Sequence, residues 1–263
     1  MAEHFVIAGA QRCGTTYLTR LLDEHPDIEL ARPLRPEPKF FLDQDACALG
    51  LDEYVARHFR DPDVAVRGEK STSYLESTVA AVNLRTLLPE ALVVVLLRDP
   101  IARALSHYRF SCDNGVETLD LSTAIRASID GGRPFDPQRF SVSPFTYLPR
   151  GRYVEFLEPF AAVLGRDRLH VLFLEELRED PAVLAGLFAR LGVDPRFVPA
   201  GTTTVVNASP PMVESLDDET RALLIEHYRA PNAALAEFLG RNLPWPASDA
   251  HLDPTRVTTD LVA

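Results

Sequence analysis

A glycine loop near the N-terminus has the spacing of a phosphate-binding loop. Four residues separate Gly9 from Gly14, and Thr15 and Thr16 follow the second glycine. Glycines allow a tight turn whose successive backbone N–H groups point inward, and a helix that starts after the turn adds the positive end of its dipole. Such a loop binds phosphate without a charged side chain. The alternative is an ordinary strand-to-helix turn with incidental glycines.

The loop differs at one position from the loop that binds nucleoside triphosphates. In the pattern G-x-x-x-x-G-K-[ST], the lysine reaches the β- and γ-phosphates. Thr15 occupies that position here, and Arg12 lies inside the loop. The sequence therefore favours a phosphate-bearing cofactor that is not a nucleoside triphosphate.

A second set of polar residues follows a strongly apolar run. Residues 91–97 are aliphatic, Arg98 comes directly after them, and Ser106 follows eight residues later. The run is typical of a parallel strand buried on both faces. Charged groups at the C-terminal edge of such a strand lie where open α/β sheets bind ligands. Asp99 could instead hold magnesium, an alternative that its place between Arg98 and Pro100 and the missing loop lysine disfavour.

Hydrophobic patterning predicts the elements that hold these residues. Residues 5–8 form a short apolar strand pattern before the loop, and Leu18, Leu21 and Leu22 recur at helical spacing after it. The other predicted elements are an extended loop or short strand over 28–38, an amphipathic helix over 51–59, a helix over 154–164, a strand over 169–174, a helix over 184–191 that stops at Gly192, and a final helical pair over 223–228 and 232–239 that ends at Gly240.

Two of these stretches resemble the cofactor-binding motifs of sulfotransferases that use 3′-phosphoadenosine 5′-phosphosulfate (PAPS). The spacing of Arg98 and Ser106 resembles the pair with which that family holds the 3′-phosphate, through a forked guanidinium and a hydroxyl. Residues 205–210 lie where relatives contact the adenosine end. The glycine loop resembles the family's 5′-phosphosulfate loop, which implies that the phosphosulfate is bound by Gln11, Arg12, Cys13, Gly14, Thr15 and Thr16.

A third stretch resembles the catalytic-base motif of the glycan-type sulfotransferases. Residues 37–42 are Glu-Pro-Lys-Phe-Phe-Leu. They resemble the Lys-Glu-Pro-His-Phe-Phe motif of that branch of the family, with Glu37 at the position of the motif's glutamate. The resemblance implies that Glu37 is the catalytic base. Pro36 stands where lysine is common and Lys39 where histidine is common. Arg35 and Lys39 are therefore both open as the source of the neighbouring positive charge.

A fourth stretch resembles the family's Gly-Glu-Lys-Ser-Pro-x-Tyr element. Residues 68–75 are Gly-Glu-Lys-Ser-Thr-Ser-Tyr-Leu. The resemblance implies that Lys70 lies near the transferring sulfuryl group, whereas the alternative is a solvated surface lysine. Lys39 and Lys70 are the only lysines in a chain that otherwise uses arginine. Both lysines fall within these motifs, which indicates that their two positions need a compact ammonium group rather than a guanidinium.

The resemblance covers most of residues 5–245, with the four motifs in the family's order. It implies a three-layer α/β fold with a central parallel sheet, similar to that of P-loop kinases. It also implies PAPS-dependent sulfuryl transfer to a hydroxyl, in which Glu37 accepts the acceptor's proton. Arg12, Lys70 and the loop amides would stabilise the charge that develops on phosphate. No metal is expected, and His107 is a competitor for the role of base.

Composition bounds the class of protein. The chain has 263 residues, of which 46% are hydrophobic and 25% charged, enough for one large domain. We expect a single sulfotransferase domain over 1–246 and a flexible tail over 247–263. The three cysteines lack metal-ligand spacing and fit reduced thiols. No leader-like or membrane-spanning apolar run is evident, which predicts a cytoplasmic protein without membrane contact.

The net charge of −11 shapes the expected partners. Nucleic acids and other polyanions require broad positive surfaces. We therefore expect a small neutral acceptor with a hydroxyl, such as a secondary metabolite, a small glycoside or a lipid alcohol. Its pocket is predicted within residues 112–147, where a hydrophobic cluster under a long loop is the equal alternative. The predicted lining residues are Phe135, Phe140, Phe145 and Tyr147.

Two other classes of protein stay open. A small-molecule or nucleoside kinase would share the fold, but it needs the loop lysine that Thr15 replaces. A catalytically silent nucleotide-binding protein would keep Arg98 and Ser106, yet it would need neither Glu37 nor Lys70. The sequence leaves the identity of the acceptor and the oligomeric state open.

Overall fold

The computed structural model describes residues 4–129, 133–136, 139, 143–203 and 216–245. The chain forms two compact units. The first comprises residues 1–97 and 155–204, and the second comprises residues 98–154 and 205–263. The single domain over 1–246 stays a prediction, and the predicted tail over 247–263 lies outside the described residues.

The first unit is built around a parallel sheet of five strands. In chain order the strands are β1 His4–Gly9, β2 Ile28–Leu30, β3 Val66–Lys70, β4 Leu92–Leu97 and β5 Leu169–Phe173. Their order across the sheet is β2-β3-β1-β4-β5. All residues of β1 and β4 are buried, as expected of parallel strands covered on both faces. The apolar runs over residues 5–8 and 91–97 are thereby confirmed as interior strands.

Helices cover both faces of this sheet. The helices within the described residues are α1 Thr15–Asp23, α2 Gln44–Ala48, α3 Leu51–His58, α4 Thr78–Leu87, α5 Pro100–Asp113, α6 Leu121–Ile129, α7 Val154–Leu164, α8 Leu174–Glu179, α9 Pro181–Leu191 and α10 Asp218–Leu239. The β1–α1–β2 connection crosses the sheet in the direction opposite to the β3–α4–β4 connection. Right-handed crossovers of opposite direction lie on opposite faces. The three-layer α/β arrangement is therefore confirmed.

Helix α9 begins earlier than its hydrophobic pattern predicts. Its pattern starts at residue 184, whereas the helix starts at Pro181 because Asp180 accepts a hydrogen bond from the Ala182 N–H. An aspartate N-cap followed by proline at the first helical position is a strong start signal. Gly192 ends the helix at a φ of 82°, which confirms the predicted C-cap.

The second unit is helical, and its longest helix corrects a prediction. The helical pair over 223–228 and 232–239 is a single helix, α10, that passes through Pro231 and ends at Gly240. Proline removes one helical hydrogen bond. The helix continues because it buries Leu224 and Leu235 on either side of that point, and packing contributes more to helix stability than a single bond.

None of the helices in the described part of the chain is both long enough and apolar enough to cross a membrane. The cytoplasmic location stays a prediction from the sequence.

Candidate active site

The glycine loop has the backbone shape of an anion-binding turn. Arg12 and Gly14 are both left-handed, with φ values of 66° and 82°. A non-glycine residue in this region is uncommon and often marks a functional turn. Helix α1 starts directly after Gly14, which offers no side-chain cap, and its first turn carries no acidic residue. First-turn N–H groups have no acceptor within their helix, so this end suits an anion.

Close packing fixes the glycine at position 14. A Cβ atom there would come within 2.6 Å of Leu174 Cδ1. Cys13 is buried, and its thiol faces the Gln11 carbonyl oxygen at 3.7 Å. Thr15 is buried as well, whereas Arg12 and Thr16 are partly exposed. The loop therefore presents backbone and the Arg12 side chain rather than the Cys13 thiol.

Glu37 and Lys70 form an ion pair. Lys70 Nζ lies 3.0 Å from Glu37 Oε1, and the two side chains are 8% and 18% exposed. The pair is thus largely withdrawn from water, where charges interact more strongly than at the surface. Lys70 is thus a cation in contact with Glu37. Arg35, one of the two neighbours considered from the sequence, is exposed, and Lys39 is partly buried.

Thr72 also holds the Glu37 carboxylate. The Thr72 N–H donates to Oε2 at 2.9 Å, and the hydroxyl lies 3.1 Å from Oε2 and 3.2 Å from Oε1. Sequence analysis did not single out this residue. The signal was available, because Thr72 stands where the resembling motif has proline. A proline has no N–H to donate, so this contact depends on the residue found in this chain.

The Glu37–Lys70 pair and the glycine loop occupy the same edge of the sheet. Lys70 is the last residue of β3 and pairs with Ile7 of β1, two residues before Gly9. The Ser71 N–H donates to the Ile7 carbonyl oxygen at 3.1 Å. Both strands run parallel, so the loop and Lys70 follow their C-terminal ends, where α/β sheets bind ligands.

In the second unit, Arg98 and Ser106 flank the start of α5. Asp99 caps this helix by accepting from the Ala102 N–H, and Ser106 lies on the helix. The Arg98 carbonyl oxygen accepts a hydrogen bond from Tyr153 at 2.7 Å. The role of Asp99 as a helix N-cap explains an acidic residue at this position without a magnesium ion.

Arg109 is a further cation that sequence analysis missed. It follows Ser106 by three residues on α5, a spacing that puts two side chains on neighbouring parts of one helix face. Its Nε is buried without a hydrogen-bond partner among the described residues. Burial, and secondly the nearby guanidinium of Arg98, lower the pKa of Arg109. The nearby carboxylate of Asp113 has the opposite, smaller effect on this pKa. An anion bound beside Arg98 and Arg109 would relieve the repulsion between their charges.

The residues predicted to line an acceptor pocket have different environments. Tyr147 is fully buried and donates to Glu117 Oε2 at 2.7 Å. Phe145 packs against the same buried cluster, with Arg133 4.0 Å above its ring. Phe135 is exposed, and Phe140 lies outside the described residues. For Tyr147 and Phe145, the observed environment is that of the alternative, a hydrophobic cluster.

His107 has the environment of a core residue. It is 5% exposed, and its ring meets Tyr147 edge-on with the centroids 5.0 Å apart. Among the residues that the structure describes, no group of three histidine, cysteine, aspartate or glutamate residues is placed to hold a metal ion. Residues 205–210, expected near the adenosine, lie outside the described part of the chain.

Comparison with known proteins identifies similar sequences. Residues 2–186 match the sulfotransferase domain family. The bifunctional heparan sulfate N-deacetylase/N-sulfotransferase 4 of Mus musculus is 26% identical over 266 residues, which cover 90% of this chain and 30% of that protein. The membrane-associated sulfotransferase kil1 of Dictyostelium discoideum is 34% identical over 112 residues, or 41% of this chain and 23% of that protein. The chain spans less than a third of the length of these relatives.

Solved structures share the fold. A sulfotransferase from Alicyclobacillus acidocaldarius superposes with a TM-score of 0.70 at 24% identity, covering 92% of this chain and 97% of that one. Mouse sulfotransferase SULT7A1, solved as a complex with PAP, gives a TM-score of 0.54 at 14% identity over 90% of this chain and 89% of its own. At these identities the likeness concerns the fold alone.

Proposed function

Because the chain belongs to the sulfotransferase domain family, we propose that it transfers the sulfuryl group of PAPS to a hydroxyl group. The observation that carries the proposal is the Lys70–Glu37 ion pair, 3.0 Å between Nζ and Oε1, at the sheet edge that also bears the glycine loop. Transfer to a hydroxyl needs a proton acceptor beside a group that stabilises negative charge. A catalytically silent nucleotide-binding protein needs neither, and a kinase would need the lysine that Thr15 replaces.

In this proposal the glycine loop holds the 5′-phosphosulfate. Its support is the left-handed backbone at Arg12 and Gly14 and the uncapped N-terminus of α1. The amides of residues 11, 12 and 14–16 donate hydrogen bonds to phosphate and sulfate oxygens, whereas the Cys13 N–H donates to the Ala10 carbonyl oxygen at 3.3 Å. Arg12 and Lys70 stabilise the negative charge that grows on the oxygen between sulfur and phosphorus. No step in this scheme requires a metal.

Glu37 acts as the general base. PAPS supplies the sulfuryl group, and 3′,5′-bisphosphoadenosine leaves with the electrons of the broken sulfur–oxygen bond. Glu37 accepts the proton of the acceptor hydroxyl while that oxygen bonds to sulfur. Thr72 contacts Oε2 of the carboxylate and Lys70 contacts Oε1. Because the carboxylate is already oriented, less side-chain conformational entropy is lost when the acceptor binds. The core environment of His107 disfavours it as the base.

Arg98 and Ser106 bind the 3′-phosphate in this scheme. The support is the buried Nε of Arg109 and the charge of Arg98, which after burial lowers the pKa of Arg109 and whose repulsion an anion would relieve. A forked guanidinium and a hydroxyl together match the oxygens of a phosphate group. The protein would then distinguish the bisphosphate from AMP by this one group.

The acceptor is proposed to be a small, neutral hydroxyl compound. The net charge of −11 opposes a polyanion. A second candidate is an anionic glycan, which is favoured by the mouse relative, a heparan sulfate N-deacetylase/N-sulfotransferase. That relative matches this chain over only 30% of its own length, so its acceptor does not carry over without a test.

Transfer assays test the donor and the acceptor separately. Radiolabelled PAPS is incubated with the protein and, in separate reactions, with neutral phenols, sterols, glycosides and heparan-type polymers. We expect labelled products from neutral hydroxyl compounds. Labelling of polymers alone would overturn the neutral acceptor but keep the sulfotransferase. No transfer to any hydroxyl compound, combined with no binding of the bisphosphate, would overturn the proposed activity.

A further inference from the structure

A buried carboxylate directly precedes the lysine of the Glu37–Lys70 pair in the sequence. Glu69 is fully buried and precedes Lys70 on strand β3. Its Oε1 accepts hydrogen bonds from the Ser71 hydroxyl at 2.6 Å and the Tyr74 hydroxyl at 2.5 Å. A buried carboxylate without such donors would be strongly unfavourable. Glu69 has no place in the chemistry proposed above, and its position calls for a different role.

The two hydroxyls that bind Glu69 also bind the segment that follows Glu37. The Lys39 N–H donates to Ser71 Oγ at 2.9 Å, and the Phe41 N–H donates to the Tyr74 hydroxyl at 3.1 Å. Glu69 is thus linked to two backbone amides, to that of Lys39 through the Ser71 hydroxyl and to that of Phe41 through the Tyr74 hydroxyl. Phe41 lies in a short helical turn, Phe40–Leu42, and Lys39 directly precedes this turn.

The direction of each hydroxyl depends on Glu69. A hydroxyl has a single proton, and it can accept from a backbone amide while donating that proton elsewhere. Glu69 Oε1 takes both protons, so it orients the oxygens of Ser71 and Tyr74 as acceptors for the amides of residues 39 and 41. Without this acceptor, the hydroxyls lose the group that aligns them.

We propose that Glu69, acting through Ser71 and Tyr74, is a positioning residue that sets the Glu37 carboxylate against the Lys70 ammonium. The inference rests on the proposed function for the importance of that pair. Two sets of contacts join the segment that bears Glu37 to the segment that bears Lys70. Thr72 holds the Glu37 side chain, and the hydroxyls of Ser71 and Tyr74 hold the backbone that follows Glu37. Since small displacements of reacting groups cost large factors in rate, this anchor controls turnover.

The chain offers a direct spectroscopic readout of the anchor. Lys39 and Lys70 are the only two lysines, so a protein labelled with ¹³C at the lysine ε-carbon gives two assignable signals, with Lys70→Arg identifying one of them. In Tyr74→Phe and in Ser71→Ala, we expect the Lys70 signal to move toward that of an unpaired lysine. This measurement needs neither cofactor nor acceptor, so its outcome is independent of the proposed function.

A matched control separates this effect from a general loss of stability. Tyr228 is also buried, and its hydroxyl donates to the Leu148 carbonyl oxygen at 2.9 Å in the second unit. Tyr228→Phe removes a buried tyrosine hydroxyl that donates a hydrogen bond, as Tyr74→Phe does. It should leave the Lys70 signal unchanged. An unmoved Lys70 signal in both Tyr74→Phe and Ser71→Ala would overturn the proposal.

Kinetics provide the second readout. Tyr74→Phe should lower kcat by about tenfold or more while the affinity for 3′,5′-bisphosphoadenosine stays the same. Glu69→Gln keeps an oxygen that can accept both hydroxyl protons and should retain most of the kcat that Glu69→Leu loses. If Glu69→Leu does not fold, Ser71→Ala replaces it in the comparison. Equal kcat in Tyr74→Phe, Ser71→Ala and the wild type would overturn the role in positioning.

Discussion

At the scale of single residues, three groups from two residues restrain the Glu37 carboxylate. Lys70 contacts Oε1, and the amide and hydroxyl of Thr72 contact the carboxylate. A base held in this way is ready to accept a proton without first reorganising, which is the main advantage of a preorganised site. Each restraint can be removed by one substitution.

Glu37→Gln tests the role of base. The amide keeps the size of the side chain but cannot accept the proton, so we expect kcat to fall by about 100-fold or more. Affinity for 3′,5′-bisphosphoadenosine should stay nearly unchanged. Glu53→Gln, which alters an exposed glutamate paired with Arg57, is the control. Near-normal turnover in Glu37→Gln together with its loss in His107→Ala would move the base to His107.

Thr72→Val tests whether the hydroxyl contributes to the restraint. Valine keeps the N–H that contacts Oε2 but removes the hydroxyl contact to both carboxylate oxygens. The loss of one hydrogen bond to a charged group should lower kcat by roughly five- to tenfold. Thr72→Ser keeps both donors and should behave as the wild type. If Thr72→Val and Thr72→Ser are equally active, the hydroxyl does not restrain Glu37.

The pH dependence of stability tests the burial of Glu69. Burial raises the pKa of Glu69 above its usual 4.5, against the lowering effect of hydrogen bonds from Ser71, Tyr74 and Tyr54 and of the more distant His58. A raised pKa in the folded state means that the folded protein holds the proton more tightly than the unfolded chain. The associated stability is therefore complete below the unfolded pKa and is lost as the pH rises through the folded pKa.

Glu69→Gln, which does not titrate, provides the comparison. Relative to this variant, the wild type should lose free energy of unfolding as the pH increases above 4.5. Urea unfolding of both proteins across this range measures the difference. A difference that stays constant with pH would contradict the raised pKa.

At the scale of elements, the junction between β1 and α1 depends on a glycine with two constraints. Gly14 has a φ of 82°, and a Cβ there would lie 2.6 Å from Leu174 Cδ1. The first constraint disfavours any other residue, and the second adds a clash with α8. A matched position exists in Gly240, which is also left-handed, with a φ of 64° and a ψ of 26°, but has open space around a Cβ.

Gly14→Ala should therefore destabilise the protein more than Gly240→Ala. The backbone term, of order 1 kcal/mol, is common to both substitutions, and the clash adds about 1–3 kcal/mol at position 14. Urea unfolding measures both changes. Equal destabilisation would show that Leu174 moves aside without cost. Because α1 starts directly after this glycine, Gly14→Ala should also weaken bisphosphate binding, whereas Gly240→Ala should not.

Local patterns predicted the elements well where one physical signal dominates. The apolar runs of β1 and β4 are buried on both faces, and glycine marks the ends of α9 and α10 through its freedom at positive φ. The prediction of two helices separated near Pro231 was wrong, because the burial of Leu224 and Leu235 on either side outweighs the one helical hydrogen bond that proline removes. The start of α9 was predicted too late because hydrophobic periodicity begins only at residue 184, whereas the polar N-cap Asp180 sets the first turn.

Contacts between distant segments could not be derived from periodicity. Glu37 and Thr72 are 35 residues apart in sequence, and no local pattern encodes their meeting. The ion pair of Glu37 with Lys70 was not predicted, because the resemblance left Arg35 and Lys39 open as the neighbouring cation and placed Lys70 only near the sulfuryl group. The aromatic residues around Tyr147 have no regular spacing, so the sequence could not decide between a pocket and the core in which Tyr147 lies.

At the scale of the whole molecule, the chain is acidic, with a net charge of −11. Each unit nevertheless supplies cations to the residues proposed to bind the cofactor, Arg12 and Lys70 in the first and Arg98 and Arg109 in the second. An anion is thus attracted by local groups rather than by the overall field. The chain also spans less than a third of the length of its heparan sulfate relative, so its acceptor must be found by experiment.

Calorimetric titration with 3′,5′-bisphosphoadenosine, AMP and ATP with magnesium tests the central claim, that this chain is built for PAPS. The 3′-phosphate contacts should contribute roughly 2–4 kcal/mol, so we expect the bisphosphate to bind about 30- to 1000-fold more tightly than AMP or ATP. Arg98→Ala should abolish this preference. Arg126→Ala, which removes an exposed arginine paired with Glu219, should keep it. Equal affinity of the wild type for the bisphosphate and AMP, or tighter binding of ATP with magnesium, would contradict the claim.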